Sequence, residues 1–513
     1  MKIITRPRDA GCFCWANTLF YCTILVLSVG VRAETSATVV PIAPITLASS
    51  MVTDNSLPTI STPHIRQALK PGQLMVGDTL LSLGGFIDAS LVSRSRNLVS
   101  DIGTPFSSIP FSAQGDLGRN PEFRGSARAS RLNLKIDDED ILSSIRLGAY
   151  IETDFLSAGS AGTNQQQVNG YQTRLRQAWL SAEDIGDDGF HFLAGQAYSL
   201  VTPGHGPGIS PLQENLPSVV DDQTVVGTDF VRQWQFRLVK DFGPIALGGS
   251  IENPQIIWGN AIKPNGFVRF VTTEPPHSSL GTTQVSIDAE PDLVLKLAFD
   301  ASFGHFETFV LRRAFLLDAG PDGGTISTSG LSSGFSALVP IGDSLNFTGS
   351  FSHGDGLGRY GAAQLPDATN DSFGKPVAIP ASHALLGLIY QPSPKWSIYL
   401  YSGFEKASAA GTGTVGEQIF GYGNNARLND GCNGTVNALE AGTTFCDGDT
   451  QIVREITIGG WWKLYQGKAG SLRFNLQFAN LKRTLFADVN NAAPSTEVRM
   501  IFASFRYRPF QVE

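Results

Sequence analysis

The sequence predicts an all-β fold: a closed antiparallel transmembrane β-barrel of sixteen strands. The first observation behind this prediction is a period of two in the hydrophobic pattern. In residues 471–482 (SLRFNLQFANLK) and again in residues 499–510 (RMIFASFRYRPF), large apolar side chains alternate with polar ones. That alternation belongs to a strand with one apolar and one polar face. In a soluble sandwich the apolar face would meet another sheet, and in a membrane barrel it would meet lipid.

The same alternation recurs from residue 79 to the end of the chain. Most of the segments are 9 to 13 residues long, the length that a tilted membrane strand needs. The sixteen candidate strands lie near 79–93, 126–136, 143–155, 172–182, 190–200, 229–240, 245–252, 292–300, 304–312, 332–340, 344–353, 382–391, 396–404, 452–463, 471–482 and 497–510.

The connections between these strands decide between a sandwich and a barrel, because short and long ones alternate along the chain. Outer-membrane barrels have tight periplasmic turns and long outer loops, whereas a sandwich has no reason to place every long loop at one end. Several tryptophans and tyrosines also fall near the short turns, where an aromatic girdle would lie. The short connections include 137–142, 241–244, 341–343 and 392–395, and the long ones include 94–125, 201–228, 253–291, 354–381 and 405–451.

Composition and the N-terminal residues agree with export to a membrane. Charged residues make up 16% of the chain, against about 25% in typical soluble proteins. Residues 1–33 combine a basic start, an apolar run and the ending Val31-Arg32-Ala33, which predicts a signal peptide, with an uncleaved anchor as the alternative. Residues 34–78 are expected to form a Pro/Ser/Thr-rich periplasmic lead-in, and residues 79–513 the barrel.

Charge and cysteine content narrow the function classes further. Without the leader, 34 basic residues face 45 acidic ones, a net charge of −11, and this argues against a nucleic-acid partner. Cys432 and Cys446 are the cysteines that remain after residue 33. An even pair in an exported chain favours a disulfide, with two free thiols as the alternative.

Several stretches together resemble the DcaP-like trimeric outer-membrane porins of Gram-negative bacteria. The resemblance covers residues 79–510, and it implies a homotrimer of sixteen-stranded barrels, embedded in outer-membrane lipid, through which small and often anionic solutes diffuse without a cofactor. The chain departs from the family in ending on Phe-Gln-Val-Glu rather than on an aromatic residue, and in a lead-in without heptads. The matching stretches are LSLGGFIDASL (81–91), SARASRLNLK (126–135), RLRQAW (174–179), FLAGQAYSL (192–200), VRQWQFRL (231–238), ENP (252–254) and GDGLGRY (354–360).

Strand parity assigns side chains to the lumen. An arginine at mid-membrane on the lipid face costs about 2–4 kcal/mol, so energy favours the same assignment as the pattern does. A wall of cations selects anions by its field and by bidentate contacts with carboxylates. The alternative is a set of structural cations that pair with lumen acids and confer no selectivity. The predicted pore-lining residues are Arg131, Lys135, Arg146, Glu152, Arg174, Arg176, Gln233 and Arg237.

The long loop after the fifth strand, residues 201–228, is the predicted constriction loop, because in general porins the loop at this position folds into the barrel. Acids on it that face the arginine wall would create a transverse field, and the alternative is an ordinary outer loop. The acids assigned to this constriction are Glu214, Asp221, Asp222 and Asp229.

The leading functional interpretation is therefore a porin for passive diffusion of small hydrophilic solutes, particularly organic anions. A structural or adhesive barrel is the main alternative, and a barrel phospholipase is the least favoured one. No His-Glu-x-x-His motif occurs in the sequence, and we expect neither catalytic nor metal-binding residues.

Overall fold

A computed structural model of the chain describes residues 69–142, 145–156, 172–184, 189–260, 289–318, 324–433 and 446–510, and most of these residues belong to one β-sheet. Sixteen of its strands form the wall of a barrel and are labelled in chain order. They are β1 Thr79–Arg94, β2 Arg131–Leu142, β3 Ile145–Asp154, β4 Arg174–Glu183, β5 Phe190–Tyr198, β6 Arg232–Asp241, β7 Ile245–Glu252, β8 Asp292–Ala301, β9 Gly304–Asp318, β10 Thr325–Ile341, β11 Leu345–Asp355, β12 Pro380–Ser393, β13 Trp396–Ala407, β14 Thr450–Gly467, β15 Gly470–Leu485 and β16 Ser495–Arg508.

Each wall strand pairs antiparallel with the strand that follows it in the chain, from β1–β2 through to β15–β16. β16 then pairs with β1, with Tyr507 opposite Ile87 and Met500 opposite Arg94. This last pairing closes the sheet and removes the free edge that an open sheet would expose. The predicted sixteen-stranded antiparallel barrel is confirmed.

Two short strands complete the pairing of β1, the strand at which the barrel closes. Gln73–Val76 lies beside the first residues of β1, with Val76 opposite Thr79, and Glu122–Ser126 lies beside its last residues. Residues 73–76, which the sequence places in the lead-in, are therefore part of the sheet. The predicted signal peptide, residues 1–33, lies outside the described residues.

The two faces of the wall differ as the period of two predicts. Outward-facing apolar side chains are exposed, such as Leu132 (54%) and Leu180 (64%), whereas inward-facing Asn475 and Ser504 are fully buried (0%). Exposed apolar surface around the whole barrel is the face that a membrane would cover. Trp396 and Trp462 lie opposite each other at the short-turn end of this face and stack with their ring centroids 5.3 Å apart.

Some strands are longer than the sequence predicts. β2 continues to Leu142 through the acidic stretch 137–140, where the sequence predicts a turn, and β10 begins at Thr325 rather than near residue 332. β9 and β10 pair from His305, which lies opposite Leu338, out to Asp318, which lies opposite Thr325. This hairpin contains small polar residues such as Ser327 and Ser329, and such a composition resembles that of a loop when no period of apolar residues marks it.

The interior of the barrel contains an apolar core in addition to polar side chains. Val453, Leu481 and Phe502 point inward from β14, β15 and β16 and pack against two loop segments, 102–109 and 219–226. Near the outer ends of these strands the apolar side chains therefore face inward, whereas charged side chains such as Arg454 and Lys482 face outward, so the alternation is reversed there. Loops therefore fill part of the space that the parity assignment had left to water.

The remaining regular elements lie in the long loops. Single turns of helix occur at Phe106–Ser108, Gly115–Arg119 and Gly358–Tyr360. Two small hairpins pair Ala368–Asn370 with Pro376–Ala378 and Ala410–Val415 with Gln418–Tyr422. No helix among the described residues is long and apolar enough to cross a membrane.

Candidate pore and its constriction

The constriction loop, residues 201–228, runs inside the barrel along the inner surface of the wall. Its backbone N–H groups donate hydrogen bonds to inward-facing side chains of three neighbouring strands. Val220 donates to Gln477 Oε1 (2.7 Å) on β15, Val226 to Glu455 Oε2 (2.9 Å) on β14, and Gly227 to Glu405 Oε1 (2.8 Å) on β13. Each strand thus supplies one acceptor, and together they satisfy N–H groups that would otherwise be buried without partners.

Close approach of the loop to the wall requires glycine at residue 227. Gly227 has a φ of +93°, a conformation that residues with a Cβ rarely adopt. A Cβ at this position would also collide with the carbonyl oxygen of Ala384 on β12. Gly403 on β13 similarly leaves room for the carbonyl oxygen of Val226. The loop backbone therefore lies directly on the wall.

Both ends of the loop are also held by charged groups. At its start, Gly204 N donates to Glu307 Oε2 (2.8 Å) on β9, whose carboxylate also pairs with Lys296 Nζ (2.9 Å) on β8. Just beyond its end, Asp229 contacts His383 Nδ1 (2.6 Å) on β12 and accepts a hydrogen bond from Ser352 Oγ (2.6 Å) on β11. These contacts attach the loop to the half of the wall formed by β8 to β15.

A second long loop, residues 356–379, also lies inside the barrel, which the sequence did not predict. The guanidinium of Arg313 on β9 holds it. Arg313 pairs with Asp367 of this loop (Nη1–Oδ1, 2.7 Å) and with Asp292 on β8 (Nε–Oδ2, 3.2 Å), and it donates a hydrogen bond to the Gly356 carbonyl. Tyr360 Oη donates to the same Asp292 carboxylate (2.9 Å). Arg313 thus joins two wall strands to the loop through one buried side chain.

Arg359 of this second loop is not the exposed outer-loop residue that its position in the sequence suggested. It is buried, and its Nη2 donates to Gln233 Oε1 (2.7 Å) on β6. Gln233 in turn donates to Glu252 Oε2 (2.6 Å). The predicted pore-lining Gln233 therefore lies inward as expected, but it contacts the second loop.

Opposite the two loops, inward-facing arginines and acids cover the wall formed by β2, β3 and β4. Arg176 donates from Nε to Glu152 Oε1 (2.6 Å) and from Nη1 to Asp154 Oδ2 (2.7 Å). Arg174 makes a bidentate contact with Asp154, at 2.9 and 2.7 Å. Arg131 lies 3.7 Å from Glu152 Oε2. The structure thus brings together four of the predicted pore-lining residues, Arg131, Glu152, Arg174 and Arg176, and pairs each cation with an acid.

A β-bulge allows Arg174 and Arg176 to share the inward face with the residues that follow them. The register between β3 and β4 shifts where Glu152 faces Gln177 and Thr153 faces Leu175, so Arg176 is the additional residue. As a result Arg176 and Gln177 are neighbours in the sequence and both are buried. The sequence gives no sign of this bulge, because a strictly alternating strand would also place Arg174 and Arg176 on one face.

The other predicted wall residues make their ion pairs and hydrogen bonds outside this group, although Lys135 lines the same cavity as Arg131 and Glu152. Lys135 pairs with Asp137 (2.8 Å) and Arg146 with Asp184 (2.8 Å), both near the short turns of the barrel. Arg237 is buried on β6, where it donates to Gln235 Oε1 (3.1 Å) and to the carbonyl of Tyr198. Strand parity predicts which face of its strand each of these three side chains occupies. It does not predict their height along the barrel or their neighbours.

The four acids assigned to the constriction do not act as one group. Asp222 faces the wall, with Oδ2 3.5 Å from Arg174 Nη2, and Glu214 lines the open cavity. Asp229 contacts the opposite half of the wall, as described above. Asp221 is buried and accepts hydrogen bonds from the N–H groups of Thr104 (3.1 Å) and Gln223 (3.0 Å), and its burial raises its pKa to about 6. Only Asp222 and Glu214 thus fit a transverse field.

Between the constriction loop and the β1–β5 wall lies a cavity of about 470 Å³. Arg131, Lys135 and Glu152 line one side of it, and Leu212 and Glu214 of the loop line the other. This cavity lies directly beside the charged wall. The Arg131 guanidinium thus borders the cavity on one side, and loop residues border it on the other.

Two further cations belong to this region and were not selected from the sequence. Arg506 on β16 pairs with Asp88 on β1 (2.8 Å), and Arg232 donates to Tyr198 Oη (3.0 Å), the same oxygen that accepts a hydrogen bond from Arg176. Closure of the barrel brings β16 next to β1. The pair Arg506–Asp88 was therefore predictable from the inward parity of Arg506 and from this closure. Arg232 begins its strand, where parity is a weak guide.

The two cysteines lie in the outer loop between β13 and β14 and form a disulfide, Cys432–Cys446. Cys432 is buried and packs with Phe111 and Leu485. Among the described residues, no group of three or more His, Cys, Asp or Glu side chains could hold a metal ion.

Comparison with solved structures gives the same architecture. The outer membrane channel DcaP of Acinetobacter baumannii matches 85% of this chain and 100% of its own length, with 15% sequence identity and a TM-score of 0.58. An anion-selective porin from Comamonas acidovorans matches 84% and 99%, with 12% identity and a TM-score of 0.44, and OmpF of Salmonella typhi, solved with daunomycin, matches 85% and 99%, with 9% and 0.45. No protein-family model and no curated protein matches the sequence. The chain thus shares its barrel fold with the DcaP outer membrane channel.

Proposed function

We propose that this protein is a passive diffusion channel for small hydrophilic solutes, with a preference for organic anions. The observation that carries the proposal is the layering of charge on the β2–β4 wall. The side chains of Arg174 and Arg131 are 33% and 24% exposed, whereas those of their partners Asp154 and Glu152 are 0% and 6% exposed. A solute that passes this wall therefore meets the more exposed arginines before the acids, and Arg131 also lines the cavity, together with Glu152.

The strength of such a contact depends on the surroundings. A cation 4 Å from a carboxylate gains about 1 kcal/mol in bulk water and about 4 kcal/mol at an effective dielectric constant near 20. The paired acids reduce this gain in energy. They do not abolish it, because the arginine side chains remain partly exposed and the acids are buried. Brief retention of an anion and rapid release are what a diffusion channel requires.

The loop side of the cavity supports discrimination by charge as well. Glu214 and Asp222 stand opposite Arg131 and Arg174 and create a field across the pore. Such a field orients a solute that carries separated charges. Arg176 differs from its neighbours, since its side chain is only 4% exposed and two carboxylates neutralise it. Its role is to position Glu152 and Asp154.

The test is the double variant Arg131→Gln/Arg174→Gln, measured by reversal potentials of single channels in a salt gradient. We expect the anion-to-cation permeability ratio to fall. The matched control is Arg146→Gln, which removes an inward-parity arginine that pairs with Asp184 near the short turns. An unchanged ratio in the double variant would assign the arginines a structural role and end the anion proposal.

We further propose that residues 1–33 are a cleaved signal peptide and that the mature chain assembles as a homotrimer without enzymatic activity. The resemblance to trimeric porins supports the oligomer. Conductance that closes in three equal steps would support a trimer, and single steps would contradict it. Full-length protein that inserts into bilayers without conducting would favour the structural or adhesive alternative.

A further inference from the structure

Cations are concentrated at one place on the outside of the barrel, at the outer ends of β13 to β16. Lys406, Arg454, Lys482 and Arg499 all share the outward parity of their strands, and Glu497 is the acid among them. These five residues are called the outer basic patch below. Lys482 lies 3.7 Å from Glu497, and both side chains are about half exposed. Four cations thus face one acid on the surface that borders the membrane.

The strand register brings like charges together in this patch. Arg454 is directly opposite Lys482, and Lys482 is directly opposite Glu497, so the three side chains form one row across β14, β15 and β16. Arg499 lies opposite Asn480, one row nearer the membrane. Like charges that face each other directly across neighbouring strands destabilise a sheet. A bound anion between Arg454 and Lys482 would remove that repulsion.

A fifth cation, Arg96, lies at the same edge and adds to the positive charge of the patch. Arg96, just after β1, donates from Nε to the backbone carbonyl of Glu497 (2.6 Å) and also to the carbonyl of Gly118. Its guanidinium is therefore held next to Glu497 by carbonyl groups, with its positive charge retained. The edge of the patch at β16 and β1 is basic as well.

The surface directly below the patch is apolar. Two rows below the row of Arg454, Lys482 and Glu497, the outward side chains of the same strands are Leu400, Ile458, Phe478 and Ile501. The apolar rows end at the stacked pair Trp396 and Trp462 near the short turns. From Trp396 to Phe404, which faces Arg454, the strand advances about 26 Å at roughly 3.3 Å per residue. With a tilt near 40° this is roughly 20 Å across the membrane, close to the ~25 Å apolar band of outer-membrane barrels.

The basic patch thus lies at the outer boundary of the apolar band, beside the long loops. We propose that it binds a phosphorylated glycolipid of the outer leaflet, with the phosphates between Arg454, Lys482 and Arg499 and the acyl chains on the apolar rows below. Arginine contacts phosphate through two parallel N–H donors, and lysine supplies a point charge. Free phosphate has no acyl chains to cover the apolar rows, so the complementarity of charge and apolar surface selects the lipid.

The experiment uses the purified full chain in detergent, with fluorescent diphosphorylated lipid A as the probe. In the triple variant Arg454→Gln/Lys482→Gln/Arg499→Gln we expect affinity to fall roughly 10- to 100-fold, since each basic residue at a membrane surface contributes measurably to binding of anionic lipid. The matched control Lys375→Gln/Lys395→Gln/Lys468→Gln removes three exposed cations away from the patch and should bind as the parent does. Equal affinity of the parent and the triple variant would overturn the proposal.

A second measurement needs no variant and decides the matter if the triple variant fails to assemble. The parent protein should bind dephosphorylated lipid A roughly 10- to 100-fold more weakly than it binds the diphosphorylated form. Equal binding of the two lipids by the parent would show that acyl chains alone drive association, and the assignment of the patch would fail. Inorganic phosphate at the same concentration should not displace the lipid, whereas displacement would identify a simple anion site.

Discussion

Arg313 and Asp367 form a fully buried ion pair, 2.7 Å long, between a wall strand and the second inward loop. We predict that Arg313→Ala releases residues 356–379 from the wall and raises single-channel conductance. Removing one partner of a buried pair typically costs about 3–5 kcal/mol, because the remaining charge is left without compensation. Here two carboxylates, Asp292 and Asp367, would lose their common partner.

The neighbouring residue provides the control for this prediction. Arg312 points outward, is about half exposed and pairs with Glu290 at 3.4 Å, so Arg312→Ala should leave conductance unchanged. Such surface pairs contribute about 0–1 kcal/mol. Folding of Arg313→Ala is checked by the heat-dependent shift of its band in a gel. If the folded variant has the same conductance as the parent, the loop stays in place without the arginine.

Gly227 permits the second test of how the loops are held. Alanine at this position would collide with the Ala384 carbonyl, so we predict that Gly227→Ala moves the constriction loop off the wall and towards the cavity, and lowers conductance. Gly243→Ala is the control, because Gly243 also has a positive φ, +74°, but nothing lies near its would-be Cβ. Both variants carry the backbone strain of roughly 1–2 kcal/mol. A loss of conductance in the control as well would attribute the effect to strain alone.

Asp221 predicts a pH dependence of stability. Burial raises its pKa from 3.8 to about 6, so the folded protein favours the protonated carboxyl. Ionised Asp221 therefore lowers stability above about pH 6, and this loss is relieved as the pH falls from about 6 towards 3.8. We expect the temperature at which the folded band disappears in gels to rise over this window, relative to the variant Asp221→Asn.

The comparison with Asp221→Asn isolates this residue from other groups that titrate in the same range. The asparagine retains an oxygen that can accept hydrogen bonds from Thr104 and Gln223, but it has no charge to gain or lose. At pH 7 the variant should be at least as stable as the parent. Identical pH profiles of parent and variant would mean that the folded state does not disfavour the Asp221 carboxylate.

The disulfide between Cys432 and Cys446 should stabilise the outer loop without affecting transport. The two residues are 14 apart in the sequence, and closure of so short a segment contributes roughly 3 kcal/mol in the chain-entropy model. Alkylation without reductant, followed by mass spectrometry, should label neither thiol, and Cys446→Ser should make Cys432 available for labelling after unfolding. Conductance of the double serine variant should equal that of the parent, and labelling of both thiols in the unreduced parent would refute the bond.

Sequence alone predicted the wall of the barrel because the wall depends on local information. A strand that crosses a membrane must expose apolar side chains at every second position, and the length of each connection shows on which side it lies. The parity of Arg131, Arg174 and Arg176 followed from this rule. The rule failed at the outer ends of β14 to β16, where Val453, Leu481 and Phe502 are apolar and face inward beneath loops.

The contents of the barrel could not be predicted in the same way, since they depend on contacts between residues far apart in the chain. Nothing near Arg313 in the sequence indicates that Asp367 will be its partner, and nothing near Arg359 indicates that Gln233 will cover it. The partners of Asp221, Asp222 and Asp229 lie on three different elements for the same reason. Parity identifies the face of a strand, and only the path of each loop determines which groups meet there.

Most of the contacts that anchor the two loops lie on the half of the wall formed by β8 to β15, so the strands of the barrel have different tasks. The strands that anchor the loops carry buried carboxylates and arginines whose replacement would disturb folding, and they have little contact with a passing solute. The strands that border the open cavity, β1 to β5, carry partly exposed side chains such as Arg131 and Arg174, and the contact of Arg174 with Asp222 of the constriction loop is 3.5 Å long. Solute preference in this barrel can therefore diversify during evolution through a few substitutions on one side, while the opposite side preserves the architecture.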